Sequence, residues 1–214
     1  MTKSLMISIQ PKHLVNILNG YKTLELRKNV PKDYKGWVYV YCTKGVGKTK
    51  YHHLYNLTSY NNGKTLFSIT HHNKYSLVPD GFLNGKVVAR FWFDEYNKYV
   101  DVSNCGMTSC GLECDYDFKY WLYNLDDELK KLCLTYDEVE NYGKGKDLYT
   151  WHIKKLEIFD KPMELSDFYK ATLYATGQVI KEYEKRTNDF KSYRLQRPPQ
   201  SWQYIYVKRR KENE

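Results

Sequence analysis

The chain has 214 residues, of which 42% are hydrophobic and 16% aromatic, and its 34 Lys and Arg outweigh 25 Asp and Glu to give a net charge of +9. This composition excludes collagen-like and wholly disordered chains, and no apolar run reaches the ~18 residues that a membrane helix requires. Five cysteines, an odd number, and the lack of an N-terminal secretory pattern predict one basic, reduced domain in the cytoplasm.

The first half of the chain predicts strands and one early helix. The helix is expected from Pro11 to Gly20, because proline favours the first helical turn and glycine the position after the last. Residues 43–60 are polar and predict a loop. Alternating or clustered apolar residues predict strands at 5–9, 23–27, 36–42, 65–70 and 86–96.

The second half begins with a change of character, since residues 94–140 hold twelve acidic and four basic side chains. Two short helices are predicted here, at 117–125 and 134–143, the second with a capping box formed by Thr135 and Glu138. A longer helix capped by Ser166 is expected to reach residue 185. Strands are predicted at 148–159 and 201–207.

These elements predict an α+β fold, with a small barrel or curled sheet and helical additions, because strands outnumber helices and no steady strand–helix alternation occurs. A single domain is expected over residues 1–214. Within it, residues 97–147 are interpreted as an acidic helical insertion, and residues 208–214 as a disordered tail.

The densest group of polar residues follows the first helix. Gly20 ends the helix, and Lys22, Glu25 and Arg27 come next, around a predicted strand. On that strand Glu25 and Arg27 share one face, so an ammonium, a carboxylate and a guanidinium are expected together at an open pocket. Such a set suits recognition of a base edge and a phosphate. Cross-strand ion pairs on an exposed strand are the alternative that spacing alone leaves open.

This pattern, G-x-K-x-x-E-x-R after a strand and the helix PKHLVNILNG, resembles the ASCH domain of the PUA-like superfamily. The core resemblance covers residues 4–43. Two later stretches, at 133–170 and 197–207, are similar to a longer group of bacterial and phage ASCH-like proteins.

The resemblance implies a PUA-like β-barrel with flanking helices, a cleft beside the motif, and binding of RNA or nucleotides. Some small members of the family are amidohydrolases and others have been described as ribonucleases. The amidohydrolases use a Lys and a Thr around this motif. Lys22 matches that Lys, but Glu25 stands where they have the Thr. This difference favours binding without turnover, and no cofactor is expected.

Two further groups of residues are candidates for the binding site. Trp151 and His152 are neighbours on a predicted strand and point to opposite faces, and the resemblance implies that one of them contacts a base. The segment RPPQSW contributes flat and polar groups for stacking and adenine recognition, namely Arg197, Gln200, Ser201 and Trp202. For both groups, a purely structural role is the alternative.

Two other patterns do not predict a site. Residues 42–49 imitate a phosphate-binding Walker loop, but Cys42 stands where its first glycine belongs. Lys44 and Lys48 can still contact phosphate. Three cysteines at 105, 110 and 114 lack the second close pair that structural zinc sites show, so no metal is expected.

The sequence therefore predicts a protein that binds nucleic acid, RNA favoured, or a nucleotide, in a basic cleft lined by aromatic rings. No membrane contact is expected. One alternative is a hydrolase, acting on a modified nucleoside or RNA, with Lys22 and Glu25 as catalytic groups. Another is a protein-binding inhibitor that acts through its acidic residues 94–140.

Overall fold

The computed structural model describes residues 1–44, 52–56, 66–71, 82–99, 127–171 and 193–207. These residues are rich in sheet and contain few helices, which confirms the predicted α+β class. The helices are α1 (Pro11–Leu18) and α2 (Tyr136–Gly143), and residues 127–132 are also helical. The strands are β1 (Thr2–Ile9), β2 (Leu24–Arg27), β3 (Gly36–Cys42), β4 (His52–Asn56), β5 (Phe67–His71), β6 (Val87–Phe93), β7 (Tyr96–Tyr99), β8 (Leu148–His152), β9 (Lys154–Met163), β10 (Phe168–Lys170) and β11 (Trp202–Val207).

The main sheet has six strands in the order β10-β11-β1-β3-β6-β9. Only the β1–β3 pair is parallel, and the connection between these strands contains α1 and β2. Because β1 is buried on both faces, it reads as a continuous apolar run. Leu5 and Ile7 face a core shared with α1, whereas Met6 packs on the other face with Tyr39 and Phe168.

A smaller antiparallel sheet, β2-β8-β7, lies against the main one. Two predicted long strands are each divided between the two sheets, at residues 94–95 and at residue 153. Trp151 of the small sheet is fully buried in the main core, with its ring centroid 4.8 Å from that of Phe93 and 6.1 Å from that of Trp202. The bends therefore bring β2, which carries the motif, onto the aromatic side of the main sheet.

Two expectations from sequence are wrong. The predicted loop at 43–60 contains β4, which pairs with β5; Leu54 and Phe67 of this pair enter the main core. The start of the predicted helix from Ser166 is a 3-10 turn, Leu165–Asp167, followed by β10, and the remainder of that prediction, residues 172–185, lies outside the described residues. In both places burial against tertiary neighbours outweighs local pattern, since Phe168 is fully buried and pairs with β11.

Residues 97–147, interpreted as an insertion, contribute to the fold wherever they are described. β7 pairs with β8, and the helical residues 127–132 and α2 cover one face of the small sheet. This second core is formed by Leu24, Leu26, Leu132, Val139 and Leu148. Residues 100–126 lie outside the described part of the chain, as do the predicted helix at 117–125 and the predicted tail at 208–214.

The predicted capping box of α2 is present. The Thr135 side chain accepts a hydrogen bond from the Glu138 amide at 3.2 Å, and the Glu138 carboxylate accepts one from the Thr135 amide at 3.1 Å. Thr135→Ala is expected to lower the free energy of unfolding by about 1 kcal/mol, because one orphan amide at the start of α2 loses its acceptor. Urea denaturation of the variant checks this value, and an unchanged midpoint would contradict it.

Among the described residues, no helix is long and apolar enough to cross a membrane.

Candidate nucleic-acid interface

The end of α1 positions the motif. Gly20 adopts φ +79°, a left-handed conformation that glycine enters without steric cost, and the chain turns back there. The amides of Tyr21 and Lys22 then donate to the Asn16 carbonyl at 2.9 and 3.0 Å. These bonds hold Lys22 immediately before β2, so its side chain meets those of the strand.

Lys22, Glu25 and Arg27 converge, as the sequence predicts. The Lys22 Nζ lies 3.5 Å from Glu25 Oε2, and an Arg27 terminal nitrogen lies 2.9 Å from Glu25 Oε1. One carboxylate thus bridges two cations, and the three side chains carry a net charge of +1. We refer to Lys22, Glu25 and Arg27 as the triad.

The triad is buried, whereas the sequence analysis placed it at an open pocket. Its side chains are only 2%, 8% and 9% exposed. The Lys22 ammonium donates to the Leu132 carbonyl at 2.7 Å, which closes the site from the side of helical residues 127–132. The difference arises because both faces of β2 are covered, one by this helical segment and α2, the other by α1 and the main sheet.

The electrostatics of the triad favour an ionised Glu25. Burial by itself raises the pKa of this carboxyl, but the neighbouring cations, Lys22 first and then Arg27, outweigh burial and leave the pKa below its ordinary value. Transferring both cations from water into the interior is unfavourable, and their attraction to a single carboxylate offsets only part of that desolvation cost. The triad is therefore a costly arrangement, and that cost suggests a role beyond stability.

His13 of α1 belongs to this site, although the sequence analysis did not select it. Burial, opposed by the charge of Glu25, lowers the pKa of His13 to about 4. Helical spacing could have identified His13. His13, Asn16 and Gly20 are three and four residues apart, which places them on the same side of a helix as the start of the motif. Asn16 is the residue that holds the motif loop.

Tyr142 of α2 is another residue that sequence reasoning missed. Its hydroxyl contacts Arg27, and its ring lies 5.1 Å from the Lys28 ammonium. Burial raises the pKa of Tyr142, which keeps the hydroxyl protonated as a hydrogen-bonding group. Nothing local in the sequence of α2 indicates this contact, because it depends on how the helix packs across β2.

The segment 197–202 lies next to the triad through Ser8. Arg27 donates to the Ser8 carbonyl at 2.8 Å. The Ser8 hydroxyl donates to the Pro199 carbonyl at 2.7 Å, and the Ser8 amide donates to the Ser201 carbonyl at 3.1 Å. Trp202 donates from Nε1 to Asn29, two residues after the motif, at 2.6 Å.

The rim of the site is more accessible than the triad. Arg197 and Gln200 are exposed, while Ser201 and Trp202 are half-buried. Ser8 thus links the segment that carries these residues to Arg27 of the triad. The rim offers a cation, an amide and a ring edge to solvent.

Trp151 and His152 point to opposite faces of the small sheet, as predicted for adjacent strand residues. Trp151 pairs with Glu25 across the strands and lies on the triad's face. His152 lies on the other face, where it contacts Asn97 at 3.2 Å and Glu95 at 3.8 Å. His152 is therefore separated from the triad by the sheet itself.

Two buried donors on the triad's face have no hydrogen-bond partner among the described residues. They are Nε of Arg27 and Nε1 of Trp151. An unpaired buried donor costs about 1–3 kcal/mol, so native proteins rarely keep one without a reason. Both sit on neighbouring strands beside the Glu25 carboxylate.

No metal centre is found in the described part of the chain, where no three His, Cys, Asp or Glu side chains come close enough to hold an ion. Cys105, Cys110 and Cys114, and Lys48 of the Walker-like loop, fall outside the described residues.

The chain is similar to solved structures of ASCH proteins from Zymomonas mobilis. One covers 98% of this chain and 89% of its own, with 15% identity and a TM-score of 0.46. Two single-substitution variants of that protein cover 96% and 95% of this chain and 91% and 88% of their own, with 14% and 13% identity and TM-scores of 0.47. No protein-family model matches the sequence, and no curated protein matches it. The solved structures are described as members of the family that the motif resembles.

Proposed function

We propose that this protein binds nucleic acid, with RNA favoured, or a nucleotide, at the triad and the rim formed by residues 197–202. The observation that carries the proposal is the pair of buried, unpartnered donors on Arg27 and Trp151 beside a cluster of net positive charge. Phosphate and base oxygens are acceptors of the kind that such donors lack.

The rim supports the same partner. Arg197 is exposed, so it can pair with a backbone phosphate without displacing any part of the protein. Gln200 presents an amide that can bond two positions of adenine, and half-buried Trp202 presents a ring on which a base can stack. We assign Glu25 as the acceptor for an exocyclic amine, because its lowered pKa keeps it ionised.

We also infer that the two sheets form a curled, barrel-like body of the PUA type around this site. The inference is supported by the packing of Trp151 from the small sheet against Phe93 and Trp202 of the main sheet. In such a body the triad occupies the seam between the sheets, where a guest approaches from the rim.

Binding is favoured over hydrolysis because the Lys22 ammonium is engaged as a donor. It bonds to the Leu132 carbonyl and faces Glu25, and neither contact prepares a neutral amine for attack.

The proposal is tested by titrating labelled single-stranded RNA of mixed sequence and measuring fluorescence anisotropy at several salt concentrations. Trp151→Phe removes a donor that has no partner among the described residues while keeping an aromatic ring. We expect it to fold normally and to bind RNA about tenfold more weakly, the loss of one good hydrogen bond. Arg197→Met is expected to reduce the slope of log affinity against log salt by roughly 0.7, the value for one phosphate contact on a single strand.

Lys98→Met is the matched control. It removes the same charge as Arg197→Met, from an exposed ion pair with Asp147 on β7. We expect its binding curve to remain close to that of the unsubstituted protein. Equal losses in the Lys98 and Arg197 variants, together with full affinity in the Trp151 variant, would overturn the proposed site.

A further inference from the structure

A cavity of about 640 Å³ opens at the carboxyl ends of β1 and β3. Its volume falls in the range of small-molecule sites, about 300–1,000 Å³. Its walls come from Gln10 before α1, from residues 43 and 44 after β3, from the segment 164–166, and from residues 195, 196 and 198. None of the triad residues lines it. The cavity therefore adjoins the rim at Pro198 but is separate from the triad.

The walls divide into an apolar part and a polar part. Leu165, Leu195 and Pro198 form the apolar part. The polar part includes Thr43, whose Oγ1 is buried without a hydrogen-bond partner among the described residues. The backbone groups of Thr43 are already hydrogen-bonded: the amide donates to the Ile9 carbonyl, and the carbonyl accepts from the Asn84 side chain. Among the described residues, the hydroxyl is thus a donor and acceptor without a partner on a residue that lines the cavity.

Lys44 supplies a positive charge at the polar end. Its side chain crosses Gly85, where a Cβ would lie only 2.6 Å from the Lys44 Cε. Gly85 also adopts φ +83°, so a glycine at this position both permits the turn and leaves room for Lys44. Within the described residues Lys44 forms no salt bridge, whereas Glu164 across the cavity is paired with Lys86 at 3.0 Å.

The N-terminus of α1 adds a partial positive charge near Lys44 and the cavity. The helix begins directly after Gln10, its first turn carries no acidic residue, and the Gln10 side chain makes no capping bond. The partial positive charge of the helix N-terminus therefore remains available beside the cavity. Lys44, the Thr43 hydroxyl and this helix end together favour a dianion, and the apolar wall favours an organic group attached to it.

The geometry points to a second ligand site, one that takes an organic phosphate monoester. The phosphate lies at Lys44 and Thr43, and the organic part lies against Leu165, Leu195 and Pro198. The two sites share only Pro198; the triad, Gln200 and Trp202 do not line this cavity, so each site can be tested on its own.

The test is isothermal titration calorimetry on the full chain, with AMP and UMP as probes and with adenosine and inorganic phosphate as comparisons. We expect both nucleotides to bind, and adenosine and inorganic phosphate each to bind about tenfold more weakly or worse, since each lacks one half of the ligand. Lys44→Met should weaken nucleotide binding by about tenfold, and Thr43→Val by less. Lys98→Met, which removes the same charge elsewhere, should change nothing.

Gly85→Ala provides a second test that removes no polar group from the site. The added methyl displaces Lys44, so nucleotide binding should fall as it does in Lys44→Met. Absence of nucleotide binding by the folded, unsubstituted chain would overturn the site. So would equal affinity for adenosine and AMP, or unchanged affinity in Lys44→Met. Loss of RNA binding in Trp151→Phe with nucleotide binding retained would separate this site from the first.

Discussion

Glu25→Gln is expected to lower the free energy of unfolding by about 3–5 kcal/mol, the largest effect of any single polar substitution considered for this chain. The substitution keeps the size of the side chain but removes the one negative charge that the described part of the chain places against the two buried cations. The Lys22 ammonium and the Arg27 guanidinium, each less than 10% exposed, would then remain in the interior without a counter-charge. Urea denaturation at pH 7, followed by tryptophan fluorescence, measures the change.

Glu157→Gln is the control for this experiment. It also breaks a contact between a carboxylate and an arginine, because Glu157 pairs with Arg90, but the Glu157 side chain is 45% exposed. Water screens that pair, so we expect a loss of no more than about 1 kcal/mol. A similar small loss in Glu25→Gln would contradict the burial of the triad and, with it, the electrostatic account of the site.

Replacing the whole triad separates stability from function. Lys22→Met, Glu25→Leu and Arg27→Met in one chain remove both buried cations and their counter-ion while roughly preserving volume. This chain should be more stable than Glu25→Gln, because buried ion clusters seldom outperform apolar packing. RNA binding should still be lost. Greater stability than Glu25→Gln together with lost RNA binding would show that the three charges serve binding rather than folding.

The convergence of Lys22, Glu25 and Arg27 could be predicted from the sequence because it is local. A helix that ends at Gly20 and a strand that starts at Leu24 leave few ways to arrange three side chains within six residues. The burial of the triad could not be predicted this way. It depends on Leu132, 110 residues away, and on α2, whose position over β2 is set by tertiary packing.

The same distinction explains the errors in the fold. The strand at 36–42 was predicted with its observed bounds because a run of branched and aromatic residues is unambiguous. β10 was not predicted, since its three residues carry no periodicity and owe their conformation to β11. Likewise, no local pattern at residue 153 indicates that the chain changes sheets there, although this bend places Trp151 beside Glu25.

His13 makes the stability of the protein depend strongly on pH. Its pKa is lowered from 6.5 to about 4 in the folded state, chiefly by burial, with Lys12 and Lys22 acting in the same direction and Glu25 and Glu138 opposing. Above pH 6.5 the imidazole is neutral in both states, and stability is complete. Between pH 6.5 and about 4 only the unfolded chain binds the proton, so stability falls by about 2 kcal/mol by pH 5 and roughly 3 kcal/mol in all.

His13→Gln isolates this contribution, because it keeps a polar side chain that does not titrate. Denaturation of both proteins at pH 7.5 and pH 5 should show a smaller loss in the variant, by about 2 kcal/mol. Glu25 does not contribute to the difference between these two pH values. Because its pKa is lowered on folding, its stabilising effect is fully present above about 4.5, the ordinary value, and is lost only at lower pH. Parallel losses in the two proteins would mean that His13 is protonated and solvated in the folded chain, and would remove it from the site.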